Sequence, residues 1–451
     1  MSIQPAFEPL DVFECPLAGI RQIEASAGTG KTWNICGLYL RLLLEARLEV
    51  QRILVVTFTN AATAELRERI RQRIVDTLAW LRAEQAGAAA AGGGDDFVER
   101  LVRSARERHG LATDDMLARL ALALATFDEA SIFTIHGFCQ RALADTPFTA
   151  QMPLALDLVR DDAGWVAEAA NDFWRRRIAA DDLDAALAGH LVAIKDSPAG
   201  YAALLKRHLS KPMARAAWPD GLDREQGLPA EELAATHAVA FALWRDQRDV
   251  VEDLLLRSLG ALSAVSYKED SVRSACAGWD ELLRGDDGLA ALAVDAPRLA
   301  LLGAARLAAA TKKKQATPSH EFFDVAQRLL DLRARAAQAL AYGRLALLKS
   351  LLDEGARAQR EAKRRRRVIA FDDMLFNLHD RLTRGDSPWL AGALKKRFPA
   401  ALIDEFQDTD PLQFAIFKTI YATPTDYALS DAPLFFVGDP KQAIYSFRNA
   451  D

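Results

Sequence analysis

Residues 23–32 read IEASAGTGKT, and the reading of this stretch decides the fold. A strand candidate at 21–26 (RQIEAS) runs into a Gly-rich turn, and 33–44 (WNICGLYLRLLL) follows with helical length and one apolar face. Within the turn, 25–32 (ASAGTGKT) fits the P-loop spacing GxxxxGKT, with Ala25 in place of the first Gly. Gly28 and Gly30 let the backbone curl so that successive N–H groups face phosphate oxygens. A helix beginning near Lys31 turns the positive end of its dipole toward an anion. Lys31 supplies charge to the β- and γ-phosphates of ATP, and the Thr32 hydroxyl suits Mg²⁺. Ala25, Ser26, Ala27, Gly28, Thr29, Gly30, Lys31 and Thr32 are therefore the expected nucleotide cradle. A chance Gly-rich turn would not need the strand–loop–helix setting found here.

Working outward, 52–57 (RILVVT) and 131–135 (SIFTI) are strand candidates, and 61–80 reads as a long, charged amphipathic helix. Strands alternating with helices predict βαβ units and a parallel sheet. The Ala/Gly stretch at 86–94 reads as a surface loop. From about 150 to 365 the strand signal disappears. That region is rich in Ala, Leu, Arg and Glu, carries Trp165, Trp174, Trp218, Trp244 and Trp279, and is broken by Pro198, Pro212, Pro219 and Pro229. Strand signals return at 398–404 (FPAALID) and 434–437 (LFFV). The expected fold class is α/β: a P-loop parallel sheet with a large all-helical insertion. The expected boundaries are 1–150 and 368–451 for the two parts of the sheet domain and 151–367 for the insertion.

The returning strands carry the second half of the chemistry. Residues 403–411 read IDEFQDTDP, an apolar strand ending in two acids. Asp404 is placed to hold Mg²⁺, and Glu405 to orient or deprotonate an attacking water. A lone acidic turn would be read as solvated; its pairing with a P-loop reverses that. Residues 437–448 (VGDPKQAIYSFR) again follow a strand, so Gln442 is the candidate for contacting the γ-phosphate. Lys31, Glu405 and Gln442 form the expected catalytic set. Tyr445 and Phe447 beside basic residues suit stacking on single-stranded bases. The run 57–60 (TFTN) gives Thr57, Phe58 and Asn60, and 134–140 (TIHGFCQ) gives His136, as further DNA candidates at strand ends. Taken singly, each aromatic fits core packing. The argument needs all of them at the ends of parallel strands. The basic runs 312–314 and 363–367 suit phosphate contact or a solvated helix face, and 67–73 (RERIRQR) an exposed helix.

Composition bounds the classes. The 451 residues carry 57 basic and 62 acidic side chains, a net charge of −5, so the chain is not basic overall and any nucleic-acid groove is local. Half the residues are hydrophobic, enough for several cores and too many for a disordered chain. No run approaches ~18 uncharged apolar residues, so no membrane helix is expected. The N-terminal residues lack the pattern of a secretory signal. Cys15, Cys36, Cys139 and Cys276 form no CxxC pair, which argues against a zinc site or a disulfide framework. A cytoplasmic, multidomain protein is expected.

Taken together, IEASAGTGKT (23–32), VVTFTNAATAELRERI (55–70), FTIHGFCQRAL (133–143), FDDML (371–375), IDEFQDTDP (403–411) and GDPKQAIYSFRNAD (438–451) resemble the UvrD/Rep-like group of superfamily 1 DNA helicases, most nearly its RecB type. The resemblance implies that the parallel sheet is a RecA-like P-loop domain, and it implies ATP- and Mg²⁺-dependent 3′→5′ movement on DNA, with single-stranded and duplex-end DNA as substrate and RecC- and RecD-like subunits as partners. It also implies that residues matching Phe58, Tyr445 and Phe447 contact bases, that Gln442 reads the γ-phosphate, and that the insertion is a 1B-type element near the duplex. Asn449 and Ala18 depart from the group's usual Gly and Gln. Members of the group continue into a second motor domain, and RecB types into a nuclease. The chain is thus expected to be an N-terminal portion that binds Mg·ATP and unwinds little DNA by itself. The alternative readings are an AddA- or UvrD-type helicase, a nucleotide- and DNA-binding fragment without autonomous unwinding, and a degenerate DNA-holding subunit that no longer hydrolyses ATP.

Overall fold

The computed structural model describes residues 9–25, 30–87, 96–144, 157–159, 161–180, 183–222, 227–284, 292, 294, 298–384, 389–422 and 432–442. The chain divides into two compact units. One comprises Met1–Asp162, Ser210–Ala214 and Ala362–Asp451, the other Ala163–Leu209 and Arg215–Glu361.

Seven strands are described: β1 (Ile20–Glu24), β2 (Ile53–Thr57), β3 (Ile132–Thr134), β4 (Asp157–Val159), β5 (Val368–Ala370), β6 (Ala400–Ile403) and β7 (Leu434–Gly438). Five of them form a wholly parallel sheet in the order β1-β7-β6-β2-β3. Every residue of β2, β6 and β7 is buried, which is why these strands read as unbroken apolar runs. Alternation along each strand builds two cores. Ile53, Val55, Leu402, Phe435 and Val437 face one side, covered by α1 (Lys31–Leu44), α2 (Asn60–Gln85), α3 (Asp96–His109) and α4 (Thr113–Ala125). Leu54, Val56, Ala401, Ile403 and Phe436 face the other, covered by α5 (Ile135–Ala144) and three later helices. The strand order has a consequence for function. β7 enters between β1 and β6, so its carboxyl end lies between the carboxyl ends of those two strands, at the edge where open α/β sheets bind ligands.

The second unit is helical: α6 (Ala163–Arg177), α7 (Ala185–Ala193), α8 (Pro198–Leu209), α9 (Ala230–Arg257), α10 (Glu269–Leu282), α11 (Ala304–Ala310) and most of α12 (Glu321–Arg366). Its larger core gathers Trp244, Trp279 and Phe322 with the apolar faces of α9, α10 and α12. Trp279 donates its indole N–H to Leu299 O at 3.0 Å, and Trp244 to Asp280 Oδ1 at 2.8 Å. Pro198 is the first residue of α8 and Pro229 immediately precedes α9, positions that need no backbone donor. Pro212 and Pro219 lie in the non-helical stretch between them.

The chain returns to the sheet unit through α13 (Phe371–Thr383), α14 (Trp389–Arg397) and α15 (Pro411–Tyr421), the remaining cover of the second core. The structure corrects three expectations. A strand does lie within 150–365, since Asp157–Val159 pairs in parallel with Val368–Ala370. Three residues are too few for a periodic pattern to show. Lys363 is also not part of a solvated or phosphate-facing charge run. It is 3% exposed, and its ammonium meets Asp162 at 2.6 Å and Asp373 at 2.7 Å. Asp373 also accepts Ala370 N–H at 2.8 Å, closing the first turn of α13. Likewise Arg67, read as surface, donates to Ala130 O and Ile132 O and ties α2 to the start of β3.

Candidate active site

Gly30 adopts φ 92°, a left-handed conformation that a Cβ would strain, and from it α1 starts at Lys31. Ser26, Ala27, Gly28 and Thr29 lie outside the described residues. Ala25 carries the β1–β7 ladder one step further, donating its N–H to Gly438 O at 3.0 Å. Thr32 occupies the second position of α1.

Across the sheet edge, Asp404 N–H donates to Val56 O at 2.8 Å, which fixes the carboxylate just past the end of β6. Glu405 then takes φ 52°, a left-handed conformation costly for a residue with a side chain. Its carboxylate accepts from Lys31 Nζ at 2.8 Å, although the two residues are 374 positions apart. The Lys31 and Glu405 side chains are 15% and 30% exposed, so the pair is reachable from solvent. Asp404 is mostly enclosed. Burial, and then the neighbouring Glu405 charge, push its carboxyl up to about 6, against the pull of the Glu405 N–H and of Lys31. Two carboxylates held this close are a donor set that a hard divalent cation relieves, so the residues fit Mg²⁺. Among the described residues no group of three or more His, Cys, Asp or Glu side chains could hold a metal ion. Mg²⁺ at Asp404 would therefore depend on oxygens from other sources, such as the Thr32 hydroxyl and phosphate.

The third loop joins the first two. Gln407, in the short turn Phe406–Asp408, donates its amide N–H to Glu405 Oε2. Its carbonyl accepts Asp439 N–H at 2.9 Å. Asp439 is buried, and it accepts from Gln442 Nε2 at 2.8 Å and from Lys441 N–H at 3.0 Å. Gln442 thus stands in one hydrogen-bonded series with Glu405.

The DNA candidates divide. Thr57 ends β2, and its hydroxyl meets that of Thr63. Phe58 follows, lining with Thr57, Asp404, Glu405 and Thr409 a small open cleft at the strand ends. Asn60, exposed, is the first residue of α2, which Thr59 caps. His136 lies two residues beyond β3, edge-to-face with Phe371 at 5.3 Å. Tyr445 and Phe447 lie outside the described residues. Sequence reasoning did not single out Gln407, Asp439 or the 39% exposed Phe371. Gln407 and Asp439 lie inside motifs quoted for other residues, and what was missing was the topology that places β7 between β1 and β6; Phe371 lies in FDDML, whose partner His136 is far away along the chain.

The sequence model for the UvrD/REP helicase N-terminal domain matches residues 8–451. The chain is 36% identical, over 98% of its length, to the RecB subunit of the RecBCD enzyme of Escherichia coli (strain K12). It is 32% identical over 98% of its length to the RecB subunit of Haemophilus influenzae, and 26% identical over 95% to that of Mycobacterium tuberculosis. It spans 36%, 38% and 26% of the lengths of those three proteins.

Proposed function

Because the chain belongs to the UvrD/REP helicase N-terminal domain family, we propose that it is the ATP-binding portion of a RecBCD-type 3′→5′ DNA helicase and translocase subunit, acting in recombination and double-strand-break repair. Its substrates are ATP and single-stranded or duplex-end DNA, its partners are RecC- and RecD-like subunits, and its place is the cytoplasm. The observation that carries the reading is the 2.8 Å pair of Lys31 and Glu405, brought together from opposite ends of the sequence at one sheet edge.

In this reading the 25–32 turn and Lys31 hold the triphosphate, as the dipole of α1 favours. Asp404 and the Thr32 hydroxyl hold Mg²⁺, which when bound offsets phosphate charge. The Glu405 carboxylate orients the attacking water and accepts its proton. Gln442 faces the γ-phosphate. Phe58, with Thr57 at the end of β2, Asn60 at the start of α2, His136 in the first turn of α5 and Tyr445 and Phe447 later in the sequence than Gln442, offers the stacking and polar groups for single-stranded bases. The helical unit corresponds to the 1B-type insertion. Lys31→Ala tests the reading. Nucleotide affinity is expected to fall roughly tenfold to hundredfold by calorimetry, the worth of a charge-assisted hydrogen bond of ~1.5–3 kcal/mol. The unfolding midpoint should stay unchanged, and an unaltered affinity would refute the site.

A further inference from the structure

We propose that Gln407 is a positioning residue that makes the placement of the Glu405 carboxylate depend on the Asp439–Gln442 turn, and so ties hydrolysis to γ-phosphate sensing. The inference rests on the roles proposed above for Glu405 and Gln442.

The chemistry of the neighbours fixes what this side chain must be. Ionised Glu405 can only accept a hydrogen bond, and the Asp439 backbone N–H can only donate one. The group between them must donate on one side and accept on the other, and a neutral amide does both. This also settles which end of the Gln407 amide is which, with nitrogen on Glu405 and oxygen on Asp439. A glutamate here would keep the second bond and lose the first. An apolar side chain of equal length would lose both.

The surroundings are shaped to this amide. A Cβ on Gly438 would lie 2.6 Å from Gln407 Oε1 and 3.1–3.2 Å from the backbone nitrogens of Gln407 and Phe406. A side chain at the end of β7 would push the Gln407 amide aside and press on the backbone of the turn that carries it, so glycine leaves this amide its place. Beyond it, Asp439 uses its carboxylate to hold Gln442 Nε2 and Lys441 N–H, and its carbonyl accepts Gln442 N–H at 2.9 Å. Displacement of the Gln442 turn therefore moves the Asp439 N–H, and with it the amide that steadies Glu405. Lys31 is the other donor to the same carboxylate oxygen, so without Gln407 the orientation of Glu405 is left to Lys31, the group proposed to serve the nucleotide.

The test is steady-state ATP hydrolysis by the 451-residue chain with saturating oligothymidylate, comparing wild type, Gln407→Met, Gln407→Glu, Gln442→Ala and the double variant Gln407→Met with Gln442→Ala. Both Gln407 variants are expected to lower kcat at least tenfold while KM for ATP stays within about twofold. The two losses should not add in the double variant, since each breaks the same series. Wild-type hydrolysis with kcat unchanged in both Gln407 variants would overturn the inference alone. So would losses that multiply in the double variant, or ATP affinity that falls along with the rate in Gln407→Met and Gln407→Glu alike, because Gln407 would then only hold the fold. A wild-type chain that neither binds nor hydrolyses Mg·ATP would sink the proposed function, and the inference with it.

Discussion

The sheet unit and the helical unit place their buried polar groups differently. In the helical unit they tie off nearby backbone and rings: Trp279 on Leu299 O, Tyr267 on Leu301 O, Trp244 on Asp280. Each bond closes a core that apolar packing already defines. At the carboxyl edge of the sheet, Lys31, Glu405, Gln407, Asp439 and Gln442 hold one another across as many as 374 positions, and Glu405 does so from a left-handed backbone conformation. Strained and mutually dependent polar groups gather where chemistry is done, and the surrounding structure must over-determine them. The helical unit has left-handed residues of its own, Lys195, Arg298 and Lys314, and a long-range pair, Arg344 with Asp196 at 2.7 Å, yet its sequence carries no motif read as chemistry.

The largest effect should come from breaking the helical side. Trp279 is fully buried, edge-to-face with Phe322 at 5.1 Å, and bonded to Leu299 O. Trp279→Ala is expected to cost the helical unit ~3–5 kcal/mol, through lost packing and an orphaned carbonyl. Calorimetry should show the unit's unfolding displaced downward while fluorescent-nucleotide affinity stays at the wild-type value. A parallel loss of affinity would mean that the two regions are not separable in this way.

How far each region could be read from sequence follows from the same contrast. β2, β6 and β7 were legible because a strand buried on both faces is an unbroken apolar run, and α1 because its apolar face follows a glycine turn. Lys31, Asp404, Glu405 and Gln442 stood out because their chemistry dictates residue type at a fixed distance from a strand end. Gln407 did not stand out, because an amide in a turn has many uses and only the interleaving of β7 gives it two partners. Lys363 was misread because a run of basic residues has no periodic signature for the single member that turns inward. The individual helices of the second unit were left unresolved for a similar reason. Ala- and Leu-rich sequence supports many packings, and the contacts that choose among them lie far apart along the chain.

A second measurement sharpens the view of the sheet edge. Burial and the Glu405 charge hold the Asp404 carboxyl at about 6 instead of the ordinary carboxylate value. Between roughly pH 4 and 6 the folded chain therefore binds a proton that the unfolded chain has released. Stability contributed by this group is present at the acid end of that window, falls as pH rises through it, and is level above about 6. In EDTA the change should amount to ~2–3 kcal/mol. Asp404→Asn should remove this share of the slope, while Asp410, which burial also raises, keeps its own, and should leave the chain more stable at pH 7, at the expense of Mg²⁺-dependent nucleotide binding. A slope unchanged in the variant would assign the proton to another group.

The smallest expected effect tests whether every buried charge in the sheet unit serves the site. Lys363 is the counter-example to the general contrast: a buried ammonium, 3% exposed, between Asp162 and Asp373. Those carboxylates belong to the segments by which the chain leaves the sheet unit and re-enters it, beside the β4–β5 pair. Lys363→Met keeps the aliphatic length and removes the charge, leaving two acids side by side. Breaking a fully buried pair costs about 3–5 kcal/mol, but Asp162 and Asp373 are 31% and 22% exposed and water can reach them, so ~1–3 kcal/mol is expected. Adding Asp162→Asn should recover part of the loss by removing one of the facing charges. Nucleotide affinity should be unchanged throughout. Weaker nucleotide binding in Lys363→Met, measured well below the unfolding midpoint, would show that this charge belongs to the site and that the division between structural and chemical polar groups is drawn in the wrong place.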